Sequence, residues 1–286
     1  MKRLVYEING RRFFNNDLKV NLDDQISRVK DDYASAIIVD GGVGKGKTHN
    51  DVQIADYISI TNKQGIIDLN IQLARGYDEF FSKLDECIRR KRCVIIYDEA
   101  GDFSKKSTLT KINMLLNRVF EQYRQFHIIV IISLPLADSL DNSLLHNEIP
   151  RMVLHTDKRY KQWVEGRIYS LKRFFQIKHT MTKLSQKSLA YNSYPCNCHF
   201  RIYKLPPERK LLVEKFSLVG KKNQIKAAII SSQKLVSYYD LSKKLNKSVR
   251  WIIQKLKEGK FKHKKIYDRK KYFDEAVFEY LQEIER

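Results

Sequence analysis

Hydrophobic and polar positions alternate between two periods along most of the chain. A hairpin-like start, "VYEINGRRFF", turns at Asn9-Gly10, a pair that favours a tight turn. From Ala36 the rhythm becomes a buried strand ("AIIVD"), a glycine-rich turn, and a helix with apolar spacing ("THNDVQIADYISI"). "GIIDLNI" reads as a second strand and "DEFFSKLDECIRRK" as an amphipathic helix. The strand "CVIIYDEA", the helix "LTKINMLLNRVFEQYRQ" and the strand "HIIVIIS" follow. Strands alternating with helices predict an α/β fold with a mostly parallel sheet covered on both faces. After "IPRMVLHT" the chain becomes mixed, aromatic and basic, and residues 156–216 are expected to finish the sheet with edge strands. The organisation expected is a lead-in over 1–35, a core domain over 36–216, a linker over 217–233 and a small module over 234–286.

Charge adds a partner to this picture. Across 286 residues there are 54 Lys and Arg against 33 Asp and Glu, a net charge of +21. Such an excess suits a polyanion, because each neutralised phosphate releases counterions; a merely solvated basic surface is the alternative. No apolar run approaches the ~20 residues of a membrane span, and the N-terminus lacks a signal-like core. A cytoplasmic protein without its own membrane anchor, or one associated with a virus inside a host cell, is expected. Four cysteines are too few and scattered for a disulfide framework. "CNCH" at Cys196–His199 offers soft ligands but lacks the second cluster that a zinc site needs.

The chemistry lies in "GGVGKGKT". Gly41, Gly42, Val43, Gly44, Lys45, Gly46, Lys47 and Thr48 match G-x-x-x-x-G-K-T in full, with a strand before and a helix after. Glycines let backbone N–H groups turn in around phosphates. Lys47 is spaced to reach the β- and γ-phosphates, and the Thr48 hydroxyl to bind Mg²⁺. His49 opens the helix behind them, and Lys45 is read as a side chain facing solvent or loosely directed at phosphate. "CVIIYDEAGDF" supplies the acidic partners: Asp98 to hold Mg²⁺ through water and Glu99 to polarise the attacking water. ATP with Mg²⁺ is the cofactor expected. A lone Asp-Gly and an Asn-Lys-x-Asp base reader, the marks of a switch GTPase, are missing. Ser133, ending the next buried strand, is placed to sense the γ-phosphate, and Arg118 and Arg124 precede it. An arginine given to a neighbouring subunit's site is one role for these two; a surface or DNA-facing charge is the other.

The C-terminal stretch has its own grammar. "YYDLSKKLN" is a short helix, followed by a turn and a second helix capped by Ser248 and stopped at Gly259. A basic hairpin turning at Asp268-Arg269 and a closing helix come after. Between Lys221 and Lys270 stand sixteen Lys or Arg against three acids, which favours DNA over a protein partner. The second helix would present Lys247, Arg250, Gln254 and Lys257 to a major groove, with Trp251 packing or touching the backbone. Lys262, Lys264 and Lys265 would sit on phosphates.

In the order of its motifs, with "RQFHIIVIISLP" followed by "LLHNEIPRMV", residues 36–155 resemble the FtsK/HerA superfamily of DNA-pumping ATPases. Asn147, Ile149, Pro150 and Arg151, in the order Asn-Glu-Ile-Pro-Arg, correspond to that family's Ile-x-x-Asn-Ile-Pro-x-Arg element, while Ser133-Leu134-Pro135 replaces its sensor glutamine. Zot-like phage assembly ATPases share the core but usually carry a membrane span. The C-terminal module resembles the winged helix-turn-helix of excisionase and MerR-type proteins. These resemblances imply a RecA-like P-loop NTPase that moves or packages DNA as a homo-oligomer, hexameric by likeness to the family. Two alternatives stand beside it: an ATP-gated initiator or partition switch, and a Zot-like assembly ATPase with a viral or plasmid partner.

Overall fold

The computed structural model describes residues 5–8, 10–33, 35–42, 44–98, 124–134, 150–181, 183–184, 187–218, 235–258, 265–267, 270–274 and 281. The chain divides into two units, Met1–Glu214 and Lys215–Arg286. The first holds β1 (Val5–Ile8), β2 (Arg11–Asn15), α1 (Asn16–Lys30), β3 (Ser35–Asp40), α2 (Lys47–Thr61), α3 (Leu69–Gln72), β4 (Leu73–Arg75), α4 (Tyr77–Arg89) and β5 (Val94–Asp98). It continues through β6 (Ile129–Leu134), β7 (Pro150–Arg159), β8 (Trp163–Ser170), α5 (Leu171–Met181) and β9 (Cys198–Tyr203). A helix over 207–218, α6, comes next.

The strands form one nine-stranded sheet in the order β1-β2-β9-β8-β7-β3-β6-β5-β4. From β7 to β4 the pairing is parallel, and from β7 to β1 it is antiparallel. Strands β3, β5 and β6 are buried along their whole length. This accounts for their unbroken Val/Ile runs, since a strand covered on both faces has no solvent side to alternate with. The loop that follows β3 therefore emerges at the C-terminal edge of a rigid parallel core, where α/β sheets place their ligands.

Three expectations need correction. "GIIDLNI" is not a strand: the Asp68 carboxylate accepts from the Asn70 N–H at 2.9 Å and caps the short helix α3, leaving only Leu73–Arg75 to pair with β5. Nor are β8 and β9 edge strands. The N-terminal hairpin adds to β9 through Phe14 and Ile202, so the sheet ends at β1. Residues 1–35 are thus part of the core unit, and they include the helix α1, which buries Leu18, Leu22, Ile26 and Val29. The expected helix over "LTKINMLLNRVFEQYRQ" lies outside the described residues, apart from its end. There Arg124–Phe126 form a 3-10 turn leading to β6.

Helix α2 is buried continuously from Asn50 to Ser59, so its polar residues must be satisfied inside the protein. Asp56 accepts from Arg11 at 2.9 Å, from Arg209 of α6 at 2.9 Å and from the Ile67 N–H at 3.0 Å. Gln53 accepts from Arg11 and donates to the Arg12 carbonyl at 2.8 Å, and the Tyr57 hydroxyl donates to Asp23. These bonds fix the helix that carries Thr48 against elements from both ends of the unit.

The second unit contains α7 (Tyr238–Leu245), α8 (Val249–Glu258) and a three-stranded antiparallel sheet. Its strands are β10 (Leu235–Ser237), β12 (Lys270–Asp274) and β11 (Lys265–Tyr267), in that order. Ser237 and Asp240 form a reciprocal capping box at the start of α7. Asn246 ends that helix in the left-handed region, and the Ser248 hydroxyl accepts from the Trp251 N–H at 3.2 Å to cap α8. Leu241, Leu245, Ile252, Leu256 and Leu281 make its small core.

Candidate nucleotide site

Two glycines shape the loop. Gly46 caps α2 at φ +87°, a conformation that costs little only without a Cβ. Gly41, at φ +141°, lies against Thr156 so closely that a Cβ would stand 2.9 Å from that residue's Cβ and carbonyl oxygen. The Lys47 ammonium folds back over the turn and donates to the carbonyls of Gly41 at 2.6 Å and Gly42 at 3.2 Å. Behind it the N-terminus of α2 points at the same space, adding unpaired N–H groups and a positive dipole end.

Directly below, the Thr48 hydroxyl donates to Asp98 at 3.0 Å (Oδ2) and lies 3.3 Å from its Oδ1. Asp98 ends β5 and is buried, and Arg75, at the end of β4, approaches its Oδ2 to 3.5 Å. One turn along α2 stands Asp51, fully buried, with neither oxygen in a hydrogen bond of ordinary geometry among the described residues. Burial and the charge of Asp98 push the Asp51 carboxyl well above the usual carboxylate range, against the opposing effects of the Ser133 hydroxyl and Lys47. Ser133 is buried beside Val39, across the β3–β6 pairing. Two carboxylates, a hydroxyl and an adjacent phosphate cradle form the oxygen-rich donor set that suits Mg²⁺, which binds through few protein oxygens plus phosphate and water. The Asp51 oxygens, which lack a hydrogen bond of ordinary geometry among the described residues, fit that reading.

The outer wall of the loop is charged. Asp40, the last residue of β3, is buried; it accepts from the Tyr191 hydroxyl and lies 2.8 Å from His155 Nδ1. His155 Nε2 approaches Asp157 at 3.3 Å, and Arg167 holds Asp157 with two bonds of 2.7 Å. Burial opposes a charged imidazole here. Hydrogen bonds to Asp157 and Asp40, with their charges, outweigh it and push His155 up to about 9. Burial likewise works against the Asp157 carboxylate, yet its bonds to His155 and Arg167 bring it down to about 2. Two further bonds clamp the loop to β7. Lys45 Nζ donates to the Asp157 carbonyl at 2.7 Å, and Arg159 donates to the Gly44 carbonyl at 3.0 Å. Lys45, expected to face solvent or phosphate, thus holds the loop to its neighbouring strand.

The chain has a mixed α/β fold with a mostly parallel core and a P-loop-like turn after β3. No family model and no curated protein matches it. Among solved structures it is similar to a KaiC-like protein from the hyperthermophilic archaeon Pyrococcus horikoshii OT3, with a TM-score of 0.31 and 11% identity, over 48% of this chain and 78% of that one. A likeness of that size carries no functional argument, and the reading rests on the loop and its acids.

The structure brings Gly41, Gly42, Gly44, Gly46, Lys47, Thr48, Asp98 and Ser133 to one sheet edge. His49 is half-buried, 3.9 Å from Glu214, and burial lowers its pKa. Val43, Glu99, Arg118, Asn147 and Ile149 lie outside the described residues, and Arg124 is described in its backbone alone. Arg151 lies on β7, and the C-terminal half of that strand flanks the loop. Residues that sequence reasoning missed are Arg75, Asp51, Asp40 and His155. Acidic residues in otherwise apolar strands and helices were the available signal.

In the C-terminal unit, Arg250, Gln254 and Lys257 are exposed at successive turns of α8. Trp251 packs against the small core, with the Lys247 ammonium 5.8 Å from its ring centre. Lys262 and Lys264 lie outside the described residues, and Lys265 begins β11. Cys196 and His199 approach to 3.6 Å, with Cys198 opening β9. Among the described residues no cluster of His, Cys, Asp or Glu is gathered to hold a metal unaided, and no helix is long and apolar enough to cross a membrane.

Proposed function

We propose that the protein is an ATP-hydrolysing motor that moves or packages DNA as a ring of identical subunits. The observation that carries the reading is the bond from Thr48 to Asp98 beneath the phosphate loop. A hydroxyl from the loop and a buried carboxylate from a separate strand meet where a nucleotide's metal would sit. Mg²⁺ held there by Thr48 and Asp98 would supply charge neutralisation at the β- and γ-phosphates.

The chain's own groups do the rest. Lys47 leaves the carbonyls of Gly41 and Gly42 for phosphate oxygens, and the N–H groups at the start of α2 hold the same phosphates in place. Arg75, 3.5 Å away, holds Asp98 in position. Glu99, next in the chain after Asp98, orients the attacking water. Ser133, at the end of the strand between β3 and β5, responds to the γ-phosphate. Arg124, or Arg118, completes the site of an adjacent subunit, which requires a ring.

The basic C-terminal unit would act as a winged helix-turn-helix that loads the motor on DNA. In that role α8 lies in the major groove, and Lys262, Lys264 and Lys265 rest on phosphates. A triplex-displacement assay tests the motor. ATP-dependent displacement of a third strand by the full chain, abolished in Lys47→Ala, is expected. Slow hydrolysis with a site-specific footprint and no displacement would instead identify an ATP-gated initiator or partition switch.

A further inference from the structure

The turn between β7 and β8 is a second place where charge and aromatic surface converge. Residues 158–162, Lys-Arg-Tyr-Lys-Gln, are exposed in succession, and the Tyr160 N–H closes the turn on the Trp163 carbonyl at 2.8 Å. The end of β9 lies alongside, because the Lys204 N–H donates to the Gln162 carbonyl at 3.0 Å. Lys204 is flanked by Arg159, Lys161 and Lys210, and partial burial followed by these three charges lowers its pKa. Glu214 is the acid facing this group, 3.7 Å from Lys210 and 3.9 Å from His49. Glu165 is a second acid at this surface, accepting from Arg201 at 2.5 Å and from the Trp163 indole at 3.2 Å and bonded to the Tyr160 side chain, so its charge is answered within the aromatic group. So many like charges held together cost stability, unless a polyanion answers them.

The aromatic part is built with equal firmness. Arg201 stacks 4.6 Å from the Trp163 ring centre while Glu165 fixes its guanidinium, and Trp163 in turn supports Tyr160, centroid to centroid at 5.4 Å. Tyr160 remains 40% exposed on top of this stack. A planar ring presented among cations is the arrangement that takes an unpaired base together with its backbone phosphates. A duplex keeps its base faces stacked inside and would use the lysines alone.

We infer that the β7–β8 turn and the end of β9 form a contact for single-stranded nucleic acid, linked to the nucleotide loop through Arg159. The inference rests on the proposed function and adds to it a strand type and a route of coupling. Arg159 donates to the Gly44 carbonyl from the middle of this surface. A phosphate that draws its guanidinium away frees one clamp of the loop, and a nucleotide that reshapes the loop shifts Arg159 in return. Occupancy of one site thereby alters the other.

Fluorescence anisotropy of the full chain with a labelled oligothymidylate tests the contact, with a labelled duplex in parallel. Lys161→Glu/Lys204→Glu should weaken oligothymidylate binding by at least about tenfold. It should also flatten the salt dependence by about 1.4, two phosphates at ~0.7 each. Tyr160→Ala should weaken single-strand binding by about tenfold and leave duplex binding within twofold, since base stacking on a ring has that magnitude. Matching thermal unfolding and circular dichroism show that each variant folds. Arg159→Ala should bind the oligonucleotide several-fold more weakly, and at saturating oligonucleotide its ATP turnover should no longer respond to it. If the unaltered chain binds no nucleic acid, the motor reading itself fails. If it binds and these variants bind like it, while Arg250→Glu/Lys257→Glu abolishes binding, this inference fails and the motor stands. Equal losses on single strand and duplex in Tyr160→Ala overturn the single-strand assignment, and normal stimulation of Arg159→Ala overturns the coupling.

Discussion

Thr48 and Asp98 are fifty residues apart in sequence and meet at 3.0 Å, the hydroxyl of one donating to the buried carboxylate of the other. The contact joins the first turn of α2 to the end of β5 and sets the floor of the phosphate loop. Asp98→Asn keeps the shape of that floor but removes its charge. Nucleotide turnover is expected to fall by at least about a hundredfold, the scale of losing one aligned electrostatic group. Steady-state phosphate release, with nucleotide binding measured by titration calorimetry, checks this.

Arg75 and Asp98 form a buried pair, each side chain 4% exposed. Removing one partner of such a pair leaves the other uncompensated. Arg75→Ala should therefore destabilise the N-terminal unit by about 3 kcal/mol, read from urea unfolding. Arg75→Lys should recover part of that loss but not the planar geometry.

Much of this site was legible in advance, and the reason is local. The loop's glycines, Lys47 and Thr48 are consecutive, so spacing alone assigns them, and Asp98 ends an apolar run whose length marks a buried strand. Asp51 and Arg75 were not legible, because each draws its role from a partner on a different element. The same holds for Asp40, whose partner His155 lies 115 residues away. The N-terminal residues read as a lead-in because a hairpin shows its turn but not the sheet it joins. Its place beyond β9 depends on Phe14 meeting Ile202.

His155 makes stability depend on pH with a definite sign. Its folded pKa, about 9, lies above its ordinary 6.5. The stabilisation is therefore fully present below about pH 6.5 and is lost as pH rises through 9. Unfolding free energy should fall across that window by something on the order of 2–3 kcal/mol. Asp157, depressed to about 2, contributes stability that is present above its ordinary 3.8 and lost as pH falls through 2. Denaturant midpoints at a series of pH values test both limbs, and His155→Gln should remove the alkaline one.

Gly41→Ala places a methyl 2.9 Å from the backbone oxygen of Thr156, in a φ region that alanine avoids. The loop should shift away from β7, weakening ATP binding by about tenfold or more while far-UV circular dichroism stays unchanged.

In the C-terminal unit, the Ser237 hydroxyl accepts from the Asp240 N–H at 3.2 Å, and the Asp240 carboxylate accepts from the Ser237 N–H at 3.0 Å. Ser237→Ala should cost about 1 kcal/mol, visible as earlier hydrogen exchange in α7 with no change in ATP turnover.

We propose that the loop and Asp98 hydrolyse ATP for work on DNA. Phosphate release by the full chain, with and without DNA and in parallel with Lys47→Ala, tests it most directly. The account expects turnover that rises several-fold with DNA and vanishes in the variant. Turnover that is indifferent to DNA, or that persists without Lys47, would contradict it.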